Sequence, residues 1–237
     1  MNKKLFEVVH NRILNSIEND KVNVIGIHGP QGMGKTTINK YLKNEFSKIG
    51  LKVIILSIDD FYFEYKVLKQ KLDMFNNKLY KFRGLAGTHD LNLLNDTIKN
   101  IKSNKNTLIP IFNKNKFNGF GDRDGYYESG NDIDVIIIEG WLIGYEPHDV
   151  TSDDLYLFNE NLKLYKNLKS EIDFWVKVES NDIKNIYGWR WSAEDKENGM
   201  DKETFDKFLE PYMVIYKNYK INDKDKIVID KDRNVIN

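Results

Sequence analysis

The chain has 237 residues, and its 36 Lys and Arg balance 36 Asp and Glu to a formal net charge of zero. That balance argues against a general nucleic-acid binder, whose affinity needs a clustered cationic surface. Because no cysteine occurs, disulfides, thiolate zinc sites and thiol nucleophiles are excluded. A hydrophobic fraction of 41% with 13% aromatics suffices for one sizeable core. Met1–His10 lacks the apolar stretch of a signal peptide, and aliphatic runs such as Val135–Ile138 are far too short to span a bilayer. The expectation is one cytoplasmic domain over residues 1–237, with no membrane, nucleic-acid or obligate protein partner.

In chain order, Leu5, Val8, Val9, Ile13 and Ile17 fall at helical spacing. Val22–Ile27 reads as a short buried strand, and the run Gly29, Pro30, Gln31, Gly32, Met33, Gly34, Lys35, Thr36, Thr37 follows it at once. Ile38, Tyr41, Leu42 and Phe46 then give one face of a helix. Strand, Gly-x-x-x-x-Gly-Lys-Thr and amphipathic helix in that order are the context a P-loop requires. Its backbone N–H groups and the helix N-terminus cradle phosphates; Lys35 would reach the β- and γ-phosphates of ATP, and the Thr36 hydroxyl would ligate Mg²⁺.

Val53–Ser57 is a second aliphatic strand, and Asp59, Asp60 and Tyr62 follow at its carboxyl end, the edge where open α/β sheets bind ligands. A carboxylate there can take the proton of an attacking hydroxyl or hold the metal shell. Two adjacent carboxylates do not readily point the same way, so Asp59 is assigned to chemistry and one of the pair to structure; an acidic helix cap is the alternative. Residues 61–131 break the strand–helix alternation, with only Leu91–Ile101 plainly helical, and read as an insertion that builds the acceptor side of a cleft. Ile133–Ile138 is a third strand ending in Glu139, the Walker B arrangement that puts a carboxylate near the metal. Trp175–Val178 and Ile227–Ile229 complete the predicted strands. Phe205, Phe208, Tyr212, Ile215 and Tyr219 recur at three- and four-residue steps, a packing stripe of a helix. These elements predict an α/β three-layer fold, a mainly parallel sheet with helices on both faces.

Five blocks, in order, resemble the D-glycerate 3-kinase-like P-loop kinases, relatives of uridine kinase, phosphoribulokinase and pantothenate kinase. They are Gly29–Thr36, Ser57–Tyr62, Arg83–Asp90, Phe117–Arg123 and Ile138–Gly144, and the resemblance spans about residues 20–220. It implies an ATP- and Mg²⁺-dependent kinase acting on the hydroxyl of a small metabolite. By this resemblance Asp59 lies near the acceptor hydroxyl, and Arg83, His89 and Asp90 line the acceptor site. Lys114 and Arg123 would suit an anionic acceptor. Tyr187–Glu194 resembles a lid, about residues 185–200, whose Arg190 reaches the phosphates. Phe112, Asn113 and Asn115 depart from the pattern's Tyr, Asp and Ser.

Catalytic roles thus fall to Lys35, Asp59, Glu139 and Arg190, metal contacts to Thr36, Asp59 and Glu139, and acceptor contacts to Asp60, Tyr62, Arg83, His89, Asp90, Lys114 and Arg123. Plainer readings stay open: His89 and Asp90 as a helix cap, Arg83 and Arg123 as ion pairs, Arg190 as a stack on a tryptophan. A uridine- or pantothenate-type kinase, a P-loop ATPase and a nucleotide-binding regulator are the alternative functions; the guanine-recognition block Asn-Lys-x-Asp is absent.

Overall fold

A computed structural model of the chain describes residues 3–194 and 201–236. The first helix, α1 (Lys3–Leu14), buries Leu5, Phe6, Val9 and Ile13. It is followed by β1 (Asn23–His28), the P-loop, α2 (Lys35–Lys48) and β2 (Val53–Ser57). The region from 61 to 131 contains α3 (Tyr65–Phe75), α4 (Leu91–Lys102) and a hairpin, β3 (Leu108–Asn113) and β4 (Asp122–Glu128). Then come β5 (Val135–Gly140), α5 (Asp153–Lys163), α6 (Lys166–Ser170), β6 (Phe174–Ser180), α7 (Ile183–Ser192), α8 (Lys202–Asn218) and β7 (Ile227–Ile229). Among the described residues no helix is long and apolar enough to cross a membrane. Of the expected lid, residues 195–200 lie outside the described residues.

The main sheet has the order β2-β5-β1-β6-β7, with every pairing parallel. Central strands β1 and β5 are buried along their whole length, as a doubly covered sheet demands. Each fully buried Val or Ile there contributes roughly 1.5–3 kcal/mol by leaving water. The path from β1 to β2 crosses the sheet one way and that from β5 to β6 the other. Right-handed crossovers therefore put α2 and α5–α6 on opposite faces and open a crevice at the carboxyl ends of the strands.

The insertion is more ordered than its composition suggests. Leu68 and Leu72 anchor α3, a helix that the lysine-rich sequence hid. The antiparallel pair β3–β4 stands apart from the main sheet and carries a bulge between Pro110 and Phe112. Its connection, residues 114–121, lies beside the carboxyl edge of β2 and holds Lys114 against Asp59.

Candidate active site

Register fixes the first contacts. Glu139 pairs with Ile27 on one side and Ser57 on the other, so its carboxylate stands beside the start of the P-loop. The Ser57 hydroxyl donates to Glu139 Oε1 at 2.6 Å, while Oε2 is buried without a partner among the described residues. Burial pushes the Glu139 pKa up, against the pull of Lys35.

Within the P-loop, half of the backbone N–H groups are already engaged. Gly29 N–H donates to Gly140 O at 3.3 Å, Met33 N–H to Pro30 O at 3.4 Å, and Gln31 N–H to the Tyr216 hydroxyl at 3.0 Å. Thr37 and Ile38 N–H both donate to Gly34 O at 3.0 Å. The N–H groups of Gly32, Gly34, Lys35 and Thr36 make no hydrogen bond to another described residue. They form a nest of donors at the N-terminus of α2, the arrangement that binds oxyanions. Lys35 Nζ lies over the loop, donating to Gly29 O at 2.9 Å and Pro30 O at 3.2 Å, and burial lowers its pKa.

Across a cleft of about 460 Å³ stands a second wall. Asp59 occupies the short 3-10 turn Ile58–Phe61, where Tyr62 Oη donates to Oδ1 at 2.8 Å and Lys114 Nζ to Oδ2 at 2.5 Å. Partial burial alone would raise the Asp59 pKa. The Lys114 ammonium outweighs it and, with the Tyr62 hydrogen bond, holds the carboxyl well below the usual carboxylate range. Arg83 is 9% exposed and faces the rings of Tyr62 and Phe112 at 5.9 and 5.6 Å, with a hydrogen bond to Gly119 O. Arg190, on α7, lines the same cleft, and its Nε is buried with no partner among the described residues.

The cleft thus brings together Gln31, Gly32, Gly34, Lys35, Thr36, Asp59, Tyr62, Arg83, Lys114, Glu139 and Arg190 of the expected residues. Four expected acceptor residues do not line it. Asp60 accepts the Phe112 N–H, and burial, then the neighbouring Asp59 charge, pushes it up to about 6. His89 is buried behind Tyr62, its ring stacked at 4.4 Å, with Nδ1 2.6 Å from the Tyr165 hydroxyl. Asp90 is the N-cap of α4, accepting from Leu93 N at 3.1 Å, and it also takes Arg123 Nη2 at 2.9 Å. Asp90 thus takes the plainer reading of a cap, while Arg123 pairs not with its neighbours Asp122 and Asp124, as local charge pairing would have it, but with the distant Asp90 and Glu64. Asn113 also turns away: its Nδ2 donates to Asp124 and its Oδ1 accepts the Asn115 N–H, holding the hairpin turn.

Sequence reasoning passed over several lining residues. Phe208 and Tyr212 belong to the aromatic stripe of α8, read as packing, yet both also border the cleft with Trp141. The stripe is not only core. Nothing in a helical periodicity separates a ring facing the sheet from one facing a cavity.

Glu139 Oε2, buried and unsatisfied, and the nearby Thr36 hydroxyl are hard oxygen donors that fit Mg²⁺. Asp59, the third expected metal contact, fits less well because both its oxygens are engaged. Among the described residues no group of three or more His, Asp or Glu could cage a metal alone. A P-loop site does not call for one, because phosphates and water supply most ligands of magnesium there.

The model of the phosphoribulokinase/uridine kinase family matches residues 24–215, across the P-loop, both walls of the cleft and most of α8. The chain belongs to that family. It is a P-loop kinase, a phosphotransferase by family. It is 30% identical over 241 residues to the "Uncharacterized kinase mug58" of Schizosaccharomyces pombe, covering 89% of this chain and 87% of that protein. It is 32% identical to the chloroplastic D-glycerate 3-kinase of Arabidopsis thaliana, covering 90% of this chain and 54% of that longer protein. Among solved structures, a D-glycerate 3-kinase from Cryptococcus neoformans superposes with TM-score 0.89 at 25% identity, covering 100% of this chain and 99% of that one.

Proposed function

We propose that this kinase transfers the γ-phosphoryl of ATP to a hydroxyl of a small hydroxy acid, D-glycerate or a close analogue. The observation that carries the reading is the facing of the phosphate nest by Asp59, with the cations Lys114 and Arg83 on the same wall. Its likeness to proteins named D-glycerate 3-kinase supports the acceptor class.

In this mechanism the free N–H groups of Gly32, Gly34, Lys35 and Thr36 hold the triphosphate, and the Lys35 ammonium leaves its own loop for the β- and γ-phosphates. Arg190 spreads the charge that develops on the transferred group. Magnesium, when bound, would offset phosphate charge, with Thr36 and Glu139 the residues that would hold it. Asp59 orients the acceptor hydroxyl and takes its proton. Lys114 and Arg83 receive the carboxylate. An arriving carboxylate competes for the Lys114 ammonium that now holds Asp59, so seating the acceptor restores basicity to Asp59. Most of the acceleration comes from positioning and electrostatics in an in-line transfer.

The experiment is ADP release with D-glycerate, uridine, pantothenate and ribulose 5-phosphate, read together with product mass. D-glycerate is expected to give the fastest release and a product one phosphoryl group heavier. Equal ATP hydrolysis with and without every acceptor would overturn the kinase reading, while phosphorylated uridine or pantothenate alone would overturn the hydroxy-acid acceptor.

A further inference from the structure

The P-loop is held in shape from outside its own motif. After β7 the chain makes a tight turn over residues 230–234, built on the Asp230 carboxylate. Asp230 Oδ1 accepts the N–H groups of Asp232 at 2.9 Å and Asn234 at 2.8 Å, and Oδ2 takes Asn234 Nδ2 at 3.0 Å. Arg233 N–H donates to Asp230 O, and Asp230 N–H to Asn234 O, both at 3.0 Å. This framework sets Arg233 in the left-handed region at φ 64°, a conformation a non-glycine residue adopts only when its surroundings hold it there.

So placed, the Arg233 guanidinium puts two N–H groups on one P-loop carbonyl, Gly32 O, at 3.1 Å from Nε and 2.8 Å from Nη2. The same guanidinium lies 5.0 Å over the ring of Trp189, whose Nε1 donates to Lys231 O at 2.7 Å. Trp189 meets the P-loop at the same residue. A Cβ on Gly32 would come within 2.6 Å of the Trp189 Cβ, and Gly32 has φ +78°. The C-terminal turn, α7 and the P-loop therefore share one junction, and α7 carries Arg190 next to Trp189.

A carbonyl is the wrong pole for a phosphate. In a trans peptide the Gly32 carbonyl and the Met33 N–H point opposite ways. Arg233 holds the first, and Pro30 O accepts the second. That peptide plane cannot rotate without breaking both contacts. The free donors of Gly32 and Gly34 flank it.

We propose that Arg233 is a positioning residue for nucleotide binding, acting through the P-loop: it holds the Gly32 carbonyl toward the C-terminal turn, with Trp189 as its platform, so that the phosphate nest is formed before the nucleotide arrives. The proposal rests on the reading that the nest binds the phosphates of ATP. A lysine could give the carbonyl a charged donor but not the fixed two-pronged grip.

The test measures equilibrium binding of ATP–Mg²⁺ and of inorganic tripolyphosphate to the full chain and to Arg233→Ala and Arg233→Lys, with steady-state kinetics alongside. Arg233→Ala is expected to weaken both ligands by about tenfold, the scale of one charge-assisted hydrogen bond. Arg233→Lys is expected to fall between, and the acceptor KM to stay as in the unmodified protein. A structural role alone would not lower phosphate affinity while leaving the acceptor KM unchanged. Unchanged affinity for both ligands in Arg233→Ala overturns the proposal. So does a loss for ATP without one for tripolyphosphate, which makes Arg233 a contact to the base instead. If Arg233→Ala does not fold, Arg233→Lys and Trp189→Phe decide, the latter lacking the bond to Lys231 O. A parallel loss in both ligands supports the proposal, and unmodified affinity in both variants overturns it. Failure of the unmodified protein to bind ATP would instead sink the nucleotide reading on which the proposal rests.

Discussion

Asp59 and Asp60 are neighbours in the chain with opposite surroundings. Asp59 faces the cleft and is kept ionised by Lys114; Asp60 turns under the Phe112 N–H, where burial favours its neutral form. Two consequences are measurable. Asp59→Asn should lower kcat by about 10²–10⁴-fold, the range of a lost general base, with ATP affinity unchanged by equilibrium binding. A change in ATP affinity alone would place Asp59 in the metal shell instead. Lys114→Met should raise the acceptor KM by about tenfold, as for one lost charged contact. It should also move the acid limb of kcat/KM to higher pH. The sign follows from what remains: without the ammonium, burial dominates and the Asp59 pKa climbs. An acid limb at its original position would show that Lys114 does not govern Asp59.

At the scale of elements, the proposed acceptor wall is assembled from pieces distant in sequence. The 3-10 turn after β2 brings Asp59, the β3–β4 connection brings Lys114, and the loop before α4 brings Arg83. Helix α8 and the end of β5 brace that loop: the Tyr212 hydroxyl of α8 donates to Arg83 O at 2.9 Å, and Nε1 of Trp141, just past β5, to Gly84 O at 3.1 Å. Gly84 has φ +120°, and a Cβ there would fall 2.0 Å from the Tyr212 hydroxyl oxygen. Gly84→Ala should therefore destabilise by about 1–3 kcal/mol, a typical overpacking cost, as read by denaturant unfolding. It should also raise the acceptor KM, because Arg83 moves with the loop. A loss of stability with an unchanged KM would separate the brace from the acceptor site. The insertion was legible as an insertion, and α4 within it, because Leu94, Ile98 and Ile101 keep helical spacing. Helix α3 was not, since lysines fill the gaps between Leu68 and Leu72 and blur the apolar stripe. Nor was the hairpin: β4 is exposed along most of its length, and without a buried face there is no alternation to read.

Over the whole molecule, two neutral histidines sit in the core. Burial pushes His89 down to about 4 and His28 well below its ordinary value, and nearby lysines act in the same direction on His28. The unfolded chain therefore binds more protons than the folded one as pH falls below about 6.5. Stability is retained above that pH and lost below it, by up to about 1.4 kcal/mol per histidine for each pH unit. Asp60 opposes this between its unfolded value near 3.8 and its folded value of about 6, where the native state holds the extra proton. Glu139, its pKa also raised by burial, opposes the histidines in the same sense, and the histidines' own share is a drop in Tm from pH 7 to pH 5. His89→Gln should flatten that drop. An unchanged slope in that variant would mean that His89 is not buried in its neutral form.

From sequence alone came the donor half of this protein. The P-loop is a local object whose strand, glycines, lysine and helix lie within a few turns of one another, so spacing suffices. Glu139 and the β-strands of the sheet were legible for the same reason, as short aliphatic runs with defined ends. The tertiary structure decided the rest. Whether Asp59 or Asp60 faced the cleft, whether Asp90 and Arg123 faced a substrate or each other, and whether Phe208 and Tyr212 were only core depend on which segments meet in space. So does the grip of Arg233 on Gly32, 201 residues earlier in the chain. Periodicity reports which side of an element is buried but not what it is buried against, and that is the physical reason the acceptor half had to wait for the fold.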